Sequence, residues 1–383
     1  MGPDVAAVRA FLTERHAALA ERLAGLARRD VDPRPQPADD AAARREARTL
    51  LTLLGDAGWF ASIGEPDWRA CCLARETLAA ASPLADAVFA IQALSSVPLL
   101  LADNATLRDR WVPEATAGRA MGGFAMTEPE AGSDAGAIAT TARRDGAHYV
   151  LTGRKTFISN AGLADFYVVF ASTDPAAGRK GLSCFVVPAE TPGLLFQGAQ
   201  VLSAPHPLGD IAFADCRVPA DHRLGAEGRG LALGLATLDR LRATVGAAAC
   251  GMAARALAEA LNHARTRRQF GQPLAEFQLV QHKLARMATD LAAARLLVYR
   301  AAAAADAGAE RVTLESAMAK AFATEVAQRI VDDAVQILGG RGVLASHPVD
   351  RLYRSVRALR IYEGTTEIQH LVIAGQLLKG AAP

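Results

Sequence analysis

The segment between residues 121 and 228 constrains the fold of this chain more than any other part of it. Glycine and proline separate short runs rich in β-branched and aromatic residues, which is typical of β-strands. The predicted strands cover residues 147–158, 165–172, 182–187, 194–202 and 210–218. Because no helix-length pattern separates these runs, a parallel, doubly wound sheet is excluded, and we predict an antiparallel barrel or sandwich.

Alanine- and leucine-rich sequence with helical periodicity lies on both sides of this segment. On the N-terminal side, the helical pattern is interrupted by the proline-rich stretch 31–37 and by Asn104, which we place in a turn. On the C-terminal side, helical patterns run from residue 230 to the end. We therefore predict an α+β multidomain protein, with an N-terminal α-helical domain at 1–119, a middle β domain at 120–228 and a C-terminal four-helix-bundle-type domain at 229–383.

Composition and charge exclude several classes of protein. The 383 residues are 51% hydrophobic and carry a formal net charge of +2, which is typical of a soluble globular chain and not of a nucleic-acid-binding protein. The five cysteines include no C-x-x-C pair, and their odd number argues against a disulfide framework. We expect a reducing, cytoplasmic location.

One apolar run is long enough to raise the question of a membrane span. It covers residues 84–102 and contains Asp86, Gln92 and Pro98, so we predict a buried helix instead. The N-terminal residues lack the basic-then-apolar pattern of a secretory signal. We therefore expect no membrane association.

The segment 361–369, Ile-Tyr-Glu-Gly-Thr-Thr-Glu-Ile-Gln, sets a carboxylate and a glycine immediately before a predicted helix start. Thr366 followed three residues later by Gln369 has the pattern of a capping box, so Glu363 is predicted to lie on a loop. Gly364 has no Cβ and permits a positive φ, which would let a flat ligand or another backbone approach the carboxylate closely. Glu363 is our candidate general base. The alternative is an acidic residue that only stabilises the start of the helix.

The first long helix of the C-terminal region carries one arginine in an otherwise apolar row. The row is spaced by steps of four and three residues, which is typical of a bundle seam. Its members are Leu231, Leu235, Leu238, Arg242, Val245, Ala249 and Met252. An unpaired buried charge costs several kcal/mol, so Arg242 needs an anionic partner. Asp239, three residues earlier, could supply it; a charged ligand bound at the helix flank is the alternative.

Arginines and glycines mark two predicted helix ends. Arginines at positions 265, 267 and 268 precede Gly271, which is ordinary chemistry for a helix C-terminus. The alternative is a fork of arginines that binds phosphate. Gly339 and Gly340 follow a helix predicted for residues 314–338 and by themselves indicate only where it stops.

Other familiar motifs of enzyme chemistry are missing. No Gly-x-Gly-x-x-Gly spacing follows a predicted strand, so a Rossmann dinucleotide site is not supported. The eight histidines do not group at metal-ligand spacing, and no Gly-x-Ser-x-Gly elbow occurs. We predict no metal site.

Several further motifs point to one family by their order and spacing. They are Phe124-Ala-Met-Thr-Glu-Pro-Glu-Ala-Gly-Ser-Asp134, Gly153-x-Lys-x-Phe-Ile-Ser-Asn160, Arg267-x-Gln-Phe-Gly271 with Gln278, Gln336-Ile-Leu-Gly-Gly340 and Tyr362-Glu-Gly-Thr365. From about residue 111 to residue 378 the chain resembles the acyl-CoA dehydrogenases. These are flavoenzymes with a helical N-domain, a β middle domain and a C-terminal helical bundle.

The resemblance implies FAD as the cofactor. The first motif is similar to the signature whose backbone and threonine bond to the flavin ring, and the second to the strand that covers the other side of the flavin. The third and fourth are similar to the elements that reach the FAD of a neighbouring subunit, which implies a homo-oligomer, commonly a tetramer in this family. The implied cofactor-binding residues are Phe124, Met126, Thr127, Gly132, Ser133, Phe157, Ile158, Ser159, Arg267, Phe270, Gln278, Gln336, Gly339, Gly340, Thr365 and Glu367.

The resemblance also implies the reaction. Glu363 matches the family's base, which takes the α-proton of an acyl-CoA while a hydride leaves the β-carbon for the flavin, giving a trans-2-enoyl-CoA. Members with the base elsewhere place it one residue before the arginine of D-x-x-R, where this chain has Leu241. The electron acceptor implied is an electron-transfer flavoprotein. The implied substrate-binding residues are Ser133, Asp239, Arg242, Tyr362 and Gly364.

One loop departs from the family pattern. Where many members carry K-x-G-x-R-x-S/T, this chain has Val201-Leu-Ser-Ala-Pro-His-Pro-Leu-Gly-Asp210. Because the usual basic and polar contacts are missing, an acyl group on the phosphopantetheine of a carrier protein is a second possible substrate. Two further functions are compatible with the same fold: an oxidase-type flavoenzyme that is reoxidised by O2, and a non-catalytic binding or assembly protein.

Overall fold

The computed structural model describes residues 2–309 and 311–380, which form two compact units. Unit 1 comprises Met1–Pro35, Asp67–Asp86 and Asp239–Pro383, and unit 2 comprises Gln36–Pro66 and Ala87–Leu238. Each unit is therefore assembled from separate stretches of sequence. The division into three domains at 119/120 and 228/229 stays a prediction.

Helices dominate the chain and a single large sheet lies in unit 2. The helices are α1 (Glu14–Leu26), α2 (Asp40–Asp56), α3 (Ala61–Gly64), α4 (Trp68–Ala81), α5 (Pro83–Leu101), α6 (Ala105–Thr116), α7 (Gly230–Thr266), α8 (Gln278–Asp306), α9 (Thr313–Leu338), α10 (Pro348–Leu359) and α11 (Thr366–Leu377). The strands are β1 (Gly122–Ala125), β2 (Thr141–Asp145), β3 (His148–Ser159), β4 (Phe166–Ser172), β5 (Leu182–Pro188), β6 (Leu194–Ala199), β7 (Leu208–Pro219), β8 (Arg223–Leu224), β9 (Arg268–Gln269) and β10 (Gln272–Pro273).

The sheet of unit 2 contains all five predicted strands, with ends shifted by a few residues. Its order is β6-β7-β3-β2-β4-β5-β8, with β1 added to β4. Neighbouring strands pair antiparallel, except that β1 and β2 each pair with β4 in parallel. The sequence did not reveal β1 because it begins with two glycines. A Cβ at Gly123 would lie 2.5 Å from the ring of Tyr167, so glycine is what lets β1 approach β4 this closely.

Strand β4 is buried on both faces, which explains its continuous apolar sequence. Phe166, Val168 and Phe170 belong to one core cluster, where Phe166 packs against Trp111 of α6 with ring centroids 4.6 Å apart. The alternate residues, among them Tyr167, belong to a second cluster formed by the other strands of the sheet. Because side chains alternate across a strand, one strand joins both cores.

Helix α5 is the predicted buried helix. It is long and apolar enough to cross a membrane, but 78% of its most apolar window is buried inside the protein. Its Gln92 donates hydrogen bonds to the carbonyls of Ala115 and Ala120 and accepts one from the amide of Gly122. This interior glutamine is satisfied by the protein itself, as a core helix requires.

Unit 1 is helical, and α9 contacts α8, α10 and α11. The predicted seam of α7 is buried at Val245, Ala249 and Met252, but Leu235 near the start of the helix is 43% exposed. Helix α7 passes very close to α4, because a Cβ at Gly251 would lie 2.0 Å from the carbonyl oxygen of Glu76.

A buried ion pair ties the loop after β1 to strand β3 in unit 2. The Nζ atom of Lys155, fully buried, donates to Glu128 at 2.8 Å and to the carbonyl of Met126 at 3.1 Å. Glu128 also accepts the backbone amides of Ala139 and Thr140, at 2.7 and 3.0 Å. Burial raises the pKa of Glu128, but the charge and hydrogen bonds of Lys155 outweigh it and leave this pKa below its usual value. The pair fixes the conformation of the loop that carries Thr127.

We expect Lys155→Met to destabilise the protein by about 3 to 5 kcal/mol, because it leaves a buried carboxylate without its counter-charge. Urea unfolding followed by circular dichroism measures the loss. The double variant Lys155→Met with Glu128→Gln should recover part of it, since it removes both charges. Equal losses in the single and double variants would show that packing, and not charge, holds the loop.

Candidate active site

Glu363 lies on a tight turn between α10 and α11 in unit 1. Its φ is +56° and that of Gly364 is +92°, so two consecutive residues adopt the left-handed region. This conformation is unusual for a glutamate and persists only where its surroundings impose it. The loop predicted for Glu363 is confirmed. The space beside Gly364 is not open to a flat ligand, however, since a Cβ there would lie 2.5 Å from Nε2 of Gln369.

Two buried side chains from different helices hold this turn. Nε2 of Gln369 on α11 donates to the carbonyl oxygens of Glu363 and Gly364, at 3.2 and 3.0 Å. Nζ of Lys320 on α9 donates to the same Gly364 oxygen at 2.6 Å. Both side chains are fully buried. The carbonyls exposed by the left-handed turn are therefore paired inside the protein.

The predicted capping box at Thr366 and Gln369 is wrong by one residue. Thr365 is the N-cap, and its hydroxyl accepts the amide of Ile368 at 3.3 Å. The hydroxyl of Thr366 instead donates to Glu325 at 2.7 Å. Thr365 has the extended ψ of 165° that an N-cap requires, and this frees Gln369 to bond to the Glu363 turn.

The carboxyl group of Glu363 is desolvated and incompletely hydrogen-bonded. Its Oε2 atom is buried and has no hydrogen-bond partner in the described part of the chain. Burial raises the pKa of Glu363 above its usual value, although the positive charges of Arg75, Lys320 and Arg242 oppose the rise. A carboxylate with a raised pKa and a free lone pair is suited to accept a proton.

Sequence reasoning missed Arg75, which lies near Glu363. Arg75 is buried on α4 and donates to both oxygens of Asp86, at 2.8 and 2.9 Å, and to the hydroxyl of Thr244 at 3.0 Å. It is also a hydrogen-bond partner of the Tyr362 side chain. The one signal in the sequence was a pair of opposite charges, Arg75 and Asp86, inside helices that are mostly apolar. From the sequence, Asp86 argued only against a membrane span.

Arg242 pairs with Asp239, which is the first of the two partners that its spacing suggested. The hydroxyl of Thr313 donates to the other oxygen of Asp239 at 2.6 Å. Arg242 is buried, and its Nε has no hydrogen-bond partner within residues 2–309 and 311–380. The structure thus supplies the anionic partner that this arginine needs, while the substrate contacts implied for Asp239 and Arg242 stay a prediction.

The first two motifs lie together in unit 2. The amide of Thr156 on β3 donates to the carbonyl of Thr127 at 3.0 Å. Gly132 and Ser133 are exposed, and a Cβ built on Gly132 would meet no atom of the described residues within 4 Å beyond its chain neighbours. The aromatic ring of Phe157 is 60% exposed at a residue with a φ of +55°. An exposed ring beside a loop with an exposed glycine and serine is a suitable surface for a planar heterocycle.

Some predicted cofactor contacts in unit 2 can involve only the main chain. The side chains of Met126 and Ile158 are buried in the two core clusters. Phe124 is half-buried and packs against Phe170, with ring centroids 5.1 Å apart. Ser159 is already bonded to Nε2 of His206, at 2.8 Å.

The third and fourth motifs form a second exposed surface in unit 1. Arg267, Phe270, Gln278, Gln336, Gly339 and Gly340 are all exposed, and Phe270 is 94% exposed. Beyond its chain neighbours, a Cβ at either Gly339 or Gly340 would meet no atom within 4 Å in the part of the chain that the structure describes. Burial and the charges of Arg341 and Arg267 lower the pKa of His263, so the two motifs are close to one another. Cations beside bare glycine backbone suit a phosphate group.

Two regions of the chain match profiles of one enzyme family. Residues 123–216 match the acyl-CoA dehydrogenase middle domain and residues 228–378 match the acyl-CoA dehydrogenase C-terminal domain. The chain is also 38% identical to the 3-(aryl)acrylate reductase of Clostridium sporogenes over 380 residues, which is 96% of this chain and 100% of that protein. The chain belongs to the acyl-CoA dehydrogenase family.

Solved structures agree with membership of the acyl-CoA dehydrogenase family. Butyryl-CoA dehydrogenase from Megasphaera elsdenii superposes with a TM-score of 0.89 at 32% identity, over 96% of this chain and 99% of that one. A chain from a structure described as the electron transferring flavoprotein of Acidaminococcus fermentans superposes with a TM-score of 0.91 at 34% identity, also over 96% and 99%. The predicted family, fold class, FAD cofactor and reaction class, oxidation of an acyl-CoA, are confirmed.

We expect Glu363→Gln to stabilise this acyl-CoA dehydrogenase near neutral pH, by about 1 kcal/mol, at the low end of the cost of a buried unsatisfied polar atom. A raised carboxyl pKa means that the folded chain binds the proton more tightly than the unfolded chain does. Its contribution to stability is therefore present below the unfolded pKa and is lost as the pH rises through the folded pKa.

The measurement is the thermal midpoint of wild type and variant at about pH 7 and at about pH 4, where the carboxyl of the wild type is largely protonated. The variant should unfold at a higher temperature only at the higher pH. A Glu363→Gln protein that is less stable than wild type at both pH values would contradict the desolvated carboxylate.

Proposed function

We propose that the chain converts an acyl-CoA to a trans-2-enoyl-CoA with Glu363 as the base that takes the α-proton. The observation that carries the proposal is the buried, unpartnered Oε2 of Glu363 on a turn fixed by Lys320 and Gln369. A base must be held in line with the proton it removes, and a rigid turn provides this. When bound, FAD accepts the hydride that leaves the β-carbon.

The electrostatics of the site suit a base that must be ionised at rest and still take a proton. Burial makes the charged carboxylate of Glu363 less favourable, so the proton is accepted more readily. Arg75, Lys320 and Arg242 act in the opposite direction and favour the ionised form of the group. Arg75 does this without forming a salt bridge to Glu363. Its own hydrogen bonds go to Asp86, Thr244 and Tyr362.

The residues that would hold FAD fit the group by their exposure and chemistry. In unit 2 we assign the flavin ring to Phe157 and the loop containing Thr127, Gly132 and Ser133, with main-chain contacts from Met126 and Ile158 and further contacts from Phe124 and Ser159. In unit 1, Thr365 and Glu367 are assigned to the cofactor as well. The conformation of the loop in unit 2 is maintained by the Lys155–Glu128 pair.

We assign the exposed surface of Arg267, Phe270, Gln278, Gln336, Gly339 and Gly340 to the FAD of a neighbouring subunit. A phenylalanine that is 94% exposed is unusual on a lone soluble chain and supports contact with a partner. This assignment makes the protein a homo-oligomer, and we propose a tetramer.

The substrate is assigned to Ser133, Asp239, Arg242, Tyr362 and Gly364, the last through its main chain only, because Gln369 fills the space where a Cβ would lie. Similarity to butyryl-CoA dehydrogenase favours a short acyl chain on CoA. Similarity to a chain from an electron transferring flavoprotein structure favours such a flavoprotein as electron acceptor over O2. The five cysteines are buried and form no disulfide within the described residues, which supports a cytoplasmic location.

We expect Glu363→Gln to reduce turnover by about 10²- to 10⁴-fold while FAD remains bound, because it removes a general base without changing the size of the side chain. Turnover is measured with a short-chain acyl-CoA and an artificial electron acceptor, and FAD content from the flavin absorbance. Glu21→Gln, the same change at an exposed carboxylate in α1, is the matched control. Wild-type turnover in Glu363→Gln would exclude Glu363 as the base.

Anaerobic titration of the purified enzyme with acyl-CoAs of different length and branching should bleach the flavin absorbance with the matching ester. We expect butyryl-CoA to bleach it at a lower concentration than long-chain esters do. If no CoA ester bleaches a flavin-loaded protein but an acyl-carrier protein does, the thioester carrier is not CoA. Reoxidation of the bleached enzyme by air as fast as by an electron-transfer flavoprotein would favour an oxidase.

A further inference from the structure

Three cations surround the carboxyl group of Glu363, and two of them already have a carboxylate partner. Arg75 pairs with Asp86 and Arg242 pairs with Asp239. Lys320 forms no salt bridge with any described residue, and the one acceptor of its Nζ is the carbonyl oxygen of Gly364. The charge of Lys320 is therefore the only one of the three that is not balanced by another acid.

We infer that Lys320 is a positioning residue for Glu363, which holds the turn through the Gly364 carbonyl and supplies the counter-charge that keeps the base ionised. This inference rests on the proposed role of Glu363. It assigns a function to a residue that lies on a different helix, α9, outside the motif that contains the base.

Packing alone does not account for a lysine at this place. Its side chain is fully buried, and buried lysines are rare unless they are paired. A neutral donor would satisfy the Gly364 carbonyl equally well, and Gln369 already donates to that oxygen at 3.0 Å. A buried charge without an ion pair is costly. Because Lys320 bonds to the residue next to the proposed base, we attribute a function to its charge and not only to its hydrogen bond.

Charged groups on several helices act on Glu363 and Lys320. Glu363 is influenced by Arg75 on α4, Asp86 on α5, Arg242 on α7 and Lys320 on α9. Lys320 is attracted by Glu363 most strongly, then by Glu325 and Glu367, and is repelled by Arg242.

Glu325 and Glu367 do not replace Glu363 as the partner of Lys320. Glu325 is occupied by Arg360 and by the hydroxyl of Thr366, and Glu367 is exposed. The strongest attraction of Lys320 is therefore to the base.

The counter-charge depends on pH within the working range of an enzyme. Burial lowers the pKa of Lys320 to about 8. Below this pH the ammonium group stabilises the ionised form of Glu363, and above it the amine still donates a hydrogen bond but carries no charge. The hydrogen bond and the charge can therefore be separated experimentally.

The test compares two variants that each remove one hydrogen bond to the Gly364 carbonyl. Lys320→Met removes the hydrogen bond and the charge, whereas Gln369→Leu removes hydrogen bonds only. Each variant keeps the other donor, so the carbonyl is not left unpaired. Lys320→Met also removes the cost of burying a charge, and this removal favours folding. If it nevertheless yields no folded holoenzyme, Lys320→Gln makes the same change of charge with a polar side chain.

The primary readout is the pKa of the Glu363 carboxyl in the flavin-loaded enzyme. It is measured by infrared difference spectroscopy as a function of pH. The band is assigned as the one absent from Glu363→Gln. We expect Lys320→Met to raise this pKa by about one unit, as loss of a nearby opposite charge does. Gln369→Leu should leave it within a few tenths of a unit of wild type.

The acidic limb of the pH profile of kcat/KM should move upward by the same amount in Lys320→Met and not in Gln369→Leu. Equal shifts in the two variants, or no shift in either, would overturn the role of the charge. The two proposals can fail separately. Wild-type turnover in Glu363→Gln would contradict the role of Glu363 as base, whereas the shifts just described test only the role of the Lys320 charge.

Discussion

The cost of burying ionised side chains governs how unit 1 is built. Its helices are rich in alanine and pack closely, so there is little water inside to solvate a charge. Arg75 with Asp86, and Arg295 with Glu76, meet this constraint as buried pairs at 2.7 to 2.8 Å, and Tyr299 donates a further bond to Glu76 at 2.9 Å. Removing one member of such a pair leaves the other charge buried without a partner, which costs far more than replacing the whole pair by apolar residues.

Against this background the carboxyl group of Glu363 is an exception. Three positive groups act on it, yet none of them forms a salt bridge with it, and one of its oxygens has no hydrogen-bond partner within the described ranges. A fully paired carboxylate would be stable and a poor base, because its lone pairs would be occupied and its pKa lowered. In its proposed role as base, Glu363 therefore gives up stability in return for reactivity, which is common where function requires an unsatisfied group.

The backbone around Glu363 shows the same compromise. Left-handed conformations at Glu363 and Gly364 would not persist in a free loop, since a glutamate there has a steric cost. Buried donors from α9 and α11 bind the carbonyls that the turn exposes. In unit 2 a different buried donor, Lys155, fixes the loop of Thr127 by donating to the Met126 carbonyl and to Glu128. In both units the reactive or exposed group lies on a short loop whose conformation is set by rigid elements.

The sequence by itself determined the elements and indicated Glu363 as the candidate base. Strand β3, helix α9 and the end of α7 lie within a few residues of their predicted bounds, because periodicity and glycine or proline punctuation are local properties. Glu363 was found from a short motif for the same reason. The choice between Thr365 and Thr366 as N-cap was not available, since adjacent threonines are chemically equivalent until ψ is known.

Only the tertiary structure decided what surrounds Glu363. Arg75, Asp86 and Lys320 lie on three helices far from Glu363 in the sequence, and no local pattern indicates that they meet. The parallel pairing of β1 with β4 is of the same kind, since it depends on close approach between distant segments. Local sequence sets which side chains are available, whereas the pKa and orientation of Glu363 depend on long-range packing that brings specific charges together.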